Sequence, residues 1–206
     1  MPAAPHAPRV AIAAILTLLA TASLTATVKD QRDTYMELIT DAGIDTATTA
    51  KIKVIAERVA DELAIRNLAA SYTDALNRGA IDEAMETYAD DSALYMLDRP
   101  VVEGRATITE WLRRTTERYE WVVQLVHSGI VRLDGDRAFA RWQITETQLI
   151  NDGSRRLIVG RYEDTMHRFP EGWKFVQRKF TARYMGPFDM SADSLPDSPP
   201  LFPLWR

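Results

Sequence analysis

Four ionisable side chains stand in apolar, strand-like surroundings where chemistry could be done. His127 lies in VVQLVHSGIV, Glu146 in RWQITETQL, Asp164 in GRYEDTM and Arg178 in FVQRKF. An imidazole titrates near neutrality and can take a proton from carbon or oxygen at physiological pH. A carboxyl such as Glu146 or Asp164 can shuttle that proton. The forked donors of Arg178 match a planar anion, a carboxylate or an enolate oxygen. Such a set suits proton abstraction beside a carbonyl. Plainer readings stand beside it: His127 as a core histidine held by a hydrogen bond, and the two acids as structural ion-pair partners of Arg161 or Arg178. Other chemistries have less to work with. The chain has no cysteine, so thiolate catalysis and disulfides are excluded. His127 and His167 are expected to face opposite ways, HxH and HExxH spacings are absent, and no GxGxxG loop occurs. No metal or cofactor is expected from these residues. Trp111, Trp121, Trp142, Trp173 and Trp205 read as core or rim residues.

The elements that would carry these residues are legible in the spacing. Ile55, Val59 and Leu63 step by four and lead into Ile65, Leu68, Tyr72 and Leu76, one apolar helical face. Gly79 sits where a left-handed helix stop is wanted. Asp82 is expected to cap a short second helix, and Asp90-Asp91 to turn the chain into the strand ALYML. A turn at Arg99-Pro100 and a short strand at Val101-Val102 precede Gly104. Thr107 and Glu110 have capping-box spacing for a helix whose buried stripe is Ile108, Trp111, Leu112 and Thr115. Four strands follow, at 121–133, 137–150, 156–168 and 173–184. Asp134-Gly135-Asp136, Asn151-Asp152-Gly153 and Pro170-Glu171-Gly172 separate them as hairpin turns. Three helices and an antiparallel meander make an α+β layout with helices on one face of the sheet.

The run SYTDALNRGAIDEAMETYADDSALYM resembles the opening of the nuclear transport factor 2 (NTF2)-like superfamily, especially its SnoaL-like branch. The resemblance spans about Asp61 to Gly186. It implies a cone-shaped fold, a curved antiparallel sheet wrapped around N-terminal helices with an internal pocket. Strand parity, chosen partly by this resemblance, turns Val123, Leu125, His127 and Val131 inward on the first long strand. On the next it groups Ala138, Ala140, Trp142, Ile144, Glu146 and Gln148, on the third Ile158, Gly160, Tyr162, Asp164 and Met166, and on the last Val176, Arg178, Phe180 and Ala182. With Tyr95, Trp142, Gln148, Tyr162 and Phe180 as contacts, the pocket suits a small hydrophobic molecule. Similarity to scytalone dehydratase, hexachlorocyclohexane dehydrochlorinase and bile acid 7α-dehydratase implies His127 as base. It also implies Tyr72 and Arg178 as partners in a dehydratase-type lyase or an isomerase. The aspartate that serves the histidine in those enzymes falls on Asn77, which can fix a tautomer but cannot stabilise imidazolium by charge; Glu146 and Asp164 are the candidate replacements. The pattern is also similar to ketosteroid isomerase, whose basic aspartate falls on Met96, two residues before Asp98. A non-catalytic ligand-binding or assembly subunit is the rival expectation.

Composition sets the outer bounds. The 206 residues are 46% hydrophobic and 26% charged, as in ordinary globular proteins. A formal charge of −4 and pI near 5.5 argue against a nucleic-acid surface. Val10 to Val28 carries no charge, and Ala20-Thr21-Ala22 offers a small-x-small cleavage pattern. The expectations there are an export signal (a periplasmic protein), a retained anchor that tethers it to a membrane, or a start at Met36 with a cytoplasmic protein. Residues 29–60 read as linker and helical extension, with a short helix around Thr34 to Thr40, and 61–186 as the domain. The proline-rich tail from 187 ends in LFPLWR, apolar enough to dock on the pocket mouth or a neighbouring subunit; a homodimer or homotrimer is expected.

Overall fold

The computed structural model describes residues 45–97 and 99–189. The expected export signal or anchor, the expected helix around Thr34 to Thr40 and most of the tail lie outside them. The described chain falls into two units that divide after Asp61.

The first unit contributes the N-terminal half of helix α1 (Thr46–Asn77). Asp45 starts it: one carboxylate oxygen accepts the backbone N–H groups of Ala47 and Thr48, both at 3.0 Å, and the other accepts the Thr48 hydroxyl at 2.6 Å. This satisfies donors that a helix start otherwise leaves unpaired, and the same bonds hold the Asp45 carboxyl below its ordinary range. Val54, Ile55 and Val59 remain exposed. Among the described residues no helix is long and apolar enough to cross a membrane.

The second unit carries everything else. The C-terminal half of α1 buries Ile65, Ala69, Tyr72, Ala75 and Leu76. It ends as expected at Gly79 (φ 73°), with Ala80 N–H bonded to Ala75 C=O and Gly79 N–H to Leu76 C=O, a left-handed stop that a residue with a Cβ disfavours. Helix α2 (Ile81–Met85) and helix α3 (Arg105–Thr116) follow on either side of β1 (Tyr88–Met96) and β2 (Val102–Glu103). The expected caps are corrected here. Neither helix has a side-chain cap: α2 starts from Ala80, and Asp82 instead pairs with Arg113. Helix α3 starts from Gly104 (φ 83°), three residues before the capping-box reading would begin it, so Thr107 is already helical. Nor does Asp90-Asp91 turn the chain. Both lie within β1, where the ladder slips between Tyr88 and Ala93, and Asp90 pairs with Arg105.

Strands β3 (Tyr119–Asp134), β4 (Arg137–Ile150), β5 (Arg155–Phe169) and β6 (Gly172–Gly186) form the meander. The six-stranded sheet has the order β2-β1-β6-β5-β4-β3, and its β1–β6 pairing is parallel. It is therefore a mixed sheet, where a purely antiparallel one was expected; it is curved and unclosed. Inward positions on β4 and β5 follow the expected parity: Ala138, Ala140, Trp142, Ile144 and Gln148, and Ile158, Gly160, Tyr162, Asp164 and Met166 are buried. Two strands depart from it. In β3, Val126 pairs with Ile144 but Gly129 with Trp142, so His127 and Ser128 together oppose one residue. An extra residue reverses the facing on one side of itself. Val131 thus packs on the core, whereas upstream it is Val122, Gln124 and Val126 that turn inward while Val123, Leu125 and His127 are exposed. In β6 the ladder slips at Val176, giving the core Trp173 and Phe175 instead.

Candidate active site

A cavity of about 190 Å³ opens between the inner sheet face, α1 and α3. Tyr72 and Leu76 come from α1, Leu94 and Met96 from β1, Trp111 and Leu112 from α3, and Ile158, Tyr162, Phe180 and Met185 from the sheet. Its polar inner wall is Gln124, Glu146 and Gln148.

One carboxyl dominates that wall. Glu146 Oε2 accepts the Gln124 carboxamide at 2.7 Å, and Oε1 accepts the Gln148 carboxamide. Gln124 Nε2 also donates to the Tyr162 hydroxyl oxygen at 2.9 Å, which leaves the tyrosine proton free for a ligand. Glu146 is half-buried and lines the cavity. Burial pushes its pKa above the ordinary carboxylate value, and the two carboxamides and the more distant Arg156 only partly offset this. Burial likewise raises the Tyr72 and Tyr162 hydroxyls, so both stay protonated donors at neutral pH. The side-chain oxygens (Oε1) of Gln124 and Gln148 have no protein partner, and buried acceptors of this kind ask for a donor.

The expected site residues divide sharply. Tyr72, Glu146, Gln148, Tyr162 and Phe180 line the cavity, as does Met96. His127 does not: the bulge turns it outward, and its Nε2 meets the Thr145 hydroxyl at 2.9 Å. The residues facing the cavity on this part of β3 are Val122 and Gln124, which strand parity missed. Tyr95 is corrected too. Its neighbours Leu94 and Met96 pair with Arg178 and Phe180 on the inner face, so Tyr95 points the other way. Trp142 is core, its indole N–H donating to Asp164 at 2.9 Å. Asp98 lies outside the described residues.

Asn77 holds a strand rather than a catalytic base. Its Nδ2 donates to the Gln124 carbonyl and its Oδ1 accepts the Gln124 N–H, both at 2.8 Å. The carboxamide thus occupies the edge of β3 as a further strand would, and it sets the height of Gln124 in the cavity. The amide both donates and accepts here, which a carboxylate cannot do. Arg178 and Asp164 form the ion pair of the plainer reading. Both are fully buried, bonded Nε to Oδ1 at 2.8 Å and Nη2 to Oδ2 at 2.7 Å, and neither lines the cavity. Tyr72, Tyr162 and Phe175 surround the guanidinium with ring centres at 4.4, 4.3 and 4.0 Å. Burial by itself disfavours the cation, but Asp164 and the neighbouring tyrosines outweigh it, and Arg178 remains charged.

With the geometry described, comparison with known proteins assigns the family. The family model described as "SnoaL-like domain" matches residues 57–179, more than half the chain. The chain belongs to the SnoaL-like family. A relative among curated proteins, an uncharacterized protein of Mycobacterium tuberculosis (strain ATCC 25618 / H37Rv), is 26% identical over 124 residues, covering 58% of this chain and 84% of that protein. Among solved structures, this SnoaL-like chain is similar to one from Novosphingobium aromaticivorans DSM 12444 provisionally named scytalone dehydratase. That likeness has a TM-score of 0.60 at 14% identity, covering 66% of this chain and 92% of the other. It is also similar to the type 3 hexachlorocyclohexane dehydrochlorinase of Novosphingobium barchaimii LL02, with a TM-score of 0.60 at 14% identity, 68% of this chain and 97% of the other. At such identities the likeness is one of fold, the NTF2-like α+β cone, and the chemistry must be argued from the cavity.

Proposed function

We propose that this SnoaL-like domain is a cofactor-independent lyase or isomerase for a small, hydrophobic, oxygenated molecule, with Glu146 as the proton-transferring group in place of His127. The observation that carries this reading is the Glu146 carboxyl itself, raised by burial, fixed by two carboxamides and open to an otherwise largely apolar and aromatic cavity. A carboxylate desolvated in this way is a stronger base than one in water. A substrate C–H beside a carbonyl would lose its proton to Glu146 while the Tyr162 hydroxyl donates to the enolate oxygen. Returning the proton to another carbon is isomerisation; giving it to a departing hydroxyl, which leaves as water, is dehydration. The kinship in fold with a dehydrochlorinase is consistent with eliminations of this kind.

The test is deuterium exchange at the α-carbon of cyclic ketones and enones in heavy water, followed by proton NMR. Wild-type protein should accelerate exchange on at least one member of the panel, and Glu146→Gln should lose about 10²–10⁴ of it, the usual share of general base catalysis. His127→Ala should change nothing. Exchange undiminished in Glu146→Gln removes the proposal. A second reading, ligand binding without turnover, is favoured by the amides at 77 and 124, which leave no imidazole–carboxylate pair in the cavity. It predicts saturable binding of the same compounds with no exchange.

A further inference from the structure

The cavity is electrostatically lopsided. Among the described lining residues Glu146 is the one acid, whereas Arg99, Arg118 and Arg156 bring three cations, of which Arg156 acts electrostatically on Glu146. The three arrive from separate places: Arg99 follows β1, Arg118 links α3 to β3, and Arg156 is the second residue of β5. Backbone bonds hold two of these segments together. Asn151 N–H donates to the Arg118 carbonyl at 3.1 Å, and Asn151 Nδ2 donates to the Glu117 carbonyl at 2.8 Å. Arg99 and Arg118 are exposed and Arg156 half-buried, so the cations mark the outer end. None of the three forms an ion pair among the described residues. Asp152, on the same hairpin as Arg156, is held chiefly by Ser154, and Glu117 is exposed. The end of α3 brings little opposing charge: the carbonyls of Arg113 and Thr115 are met by the N–H groups of Glu117 and Arg118. In a chain of net charge −4, three such guanidiniums at one opening form a local anion attractor.

Size limits the rest of the ligand. An engineered apolar cavity of about 150 Å³ holds benzene, so about 190 Å³ admits one ring with a short chain. Building on the cavity reading above, we propose that the ligand is a small ring-bearing organic anion. Its carboxylate or phosphate ester sits at the mouth on Arg99, Arg118 and Arg156, and its neutral, proton-bearing end lies against Glu146. An anion placed the other way round would face the Glu146 carboxylate, so the same charges also fix the direction of entry.

The experiment is calorimetric titration of the full chain with 3-phenylpropanoate, its uncharged isostere 3-phenylpropanamide, and 2-phenylethyl phosphate. In 20 mM salt the two anions should bind about tenfold tighter than the amide, the sum of three partly exposed ion-pair contacts of ordinary strength. The advantage should vanish in 0.5 M salt and in the Arg99→Gln/Arg118→Gln/Arg156→Gln variant, while amide binding persists. Which anion binds tighter identifies the tail. The cavity-filling Met96→Trp variant should block all three compounds. Equal binding of acid and amide, both blocked by Met96→Trp, overturns the anion assignment and leaves the cavity reading standing. Binding of none of them, or binding indifferent to Met96→Trp, overturns both.

Discussion

Removing the charge of Asp164 alone should do at least as much damage as removing both members of its pair. Asp164→Asn leaves the Arg178 guanidinium fully buried with no counter-charge and one rather than two good acceptors. Breaking a buried pair from one side costs about 3–5 kcal/mol, and at roughly 2–4 °C per kcal/mol for a chain of this length the melting temperature should fall by about 6–20 °C. Arg178→Met should cost a similar amount, since Asp164 would keep only the Trp142 N–H. In Asp164→Leu/Arg178→Met neither charge is stranded. That protein still loses the cation–π contacts with Tyr72, Tyr162 and Phe175, about 2 kcal/mol when desolvated, and leaves the Trp142 N–H unpaired, about 1–3 kcal/mol. Against this, a thioether packs well among aromatic rings. The double variant should therefore cost no more than either single one, so that the two single losses fall short of additivity by several kcal/mol. Urea unfolding at pH 7, followed by tryptophan fluorescence and circular dichroism, measures all three. Additive losses would refute the buried-pair argument. So would an Asp164→Asn protein of wild-type stability that had lost ligand binding, because it would place the pair in the ligand machinery.

Three further outcomes follow from the same contacts. The raised Glu146 pKa means that the native state holds a proton which the unfolded chain has already lost, between the ordinary glutamate value of roughly 4.3 and the raised one. Stability contributed by this group thus falls as pH rises through that window, so Glu146→Gln should be more stable than wild type at pH 7, with the gain fading toward pH 4 in thermal melts. Asn77→Asp loses the donor to the Gln124 carbonyl and sets a carboxylate beside it, which should cost about 1–3 kcal/mol and shift the Gln124 backbone signals in NMR spectra, whereas Asn77→Gln should restore neither the distance nor the signals. Gly129→Ala puts a Cβ 2.1 Å from the Trp142 ring and 2.8 Å from the Arg141 carbonyl oxygen, so overpacking of about 1–3 kcal/mol is expected, with a blue or red shift of the Trp142 emission as the direct readout.

The helices, the four long strands and their turns were readable because each is punctuated locally: Gly79 by its conformation, the Asp-Gly and Pro-Glu-Gly segments by turn chemistry. Facing on β4 and β5 was readable because the ladder between them has no register shift, so a single parity, chosen partly by the family resemblance, holds along both strands. The facing of β3 was not, for a definite reason. Val122, Val123, Leu125 and Val126 are all apolar, so neither parity is penalised by composition, and the register is decided by one extra residue at His127–Ser128. A clue was present in Gly129, whose bare backbone is what lets Trp142 pack against β3, but its partner is on another strand and cannot be named from the sequence. The arginine rim had the same difficulty. Arg99, Arg118 and Arg156 lie 19 and 38 residues apart, and only the folded chain brings them to one opening.

The bulge also explains why substitution at position 77 need not have emptied the cavity of chemistry. Once His127 faces solvent, a carboxylate on α1 has no imidazole to orient, and beside the Gln124 carbonyl it would be repelled. Asparagine turns that position into a two-way backbone partner, which fixes Gln124. Gln124 in turn spans Glu146 and Tyr162 with a single NH₂ group. Under the proposed function, helix α1 would act on the reacting group through a neutral amide chain instead of through charge, and the proton-handling role would pass from β3 to β4. A carboxamide cannot exchange protons near neutral pH, so any turnover in this cavity should follow the titration of a single carboxyl, rising once through the raised Glu146 pKa and staying level above it until the tyrosines ionise. A second limb that disappears in His127→Ala would show that the outward histidine reaches the ligand after all, and would return the mechanism to β3.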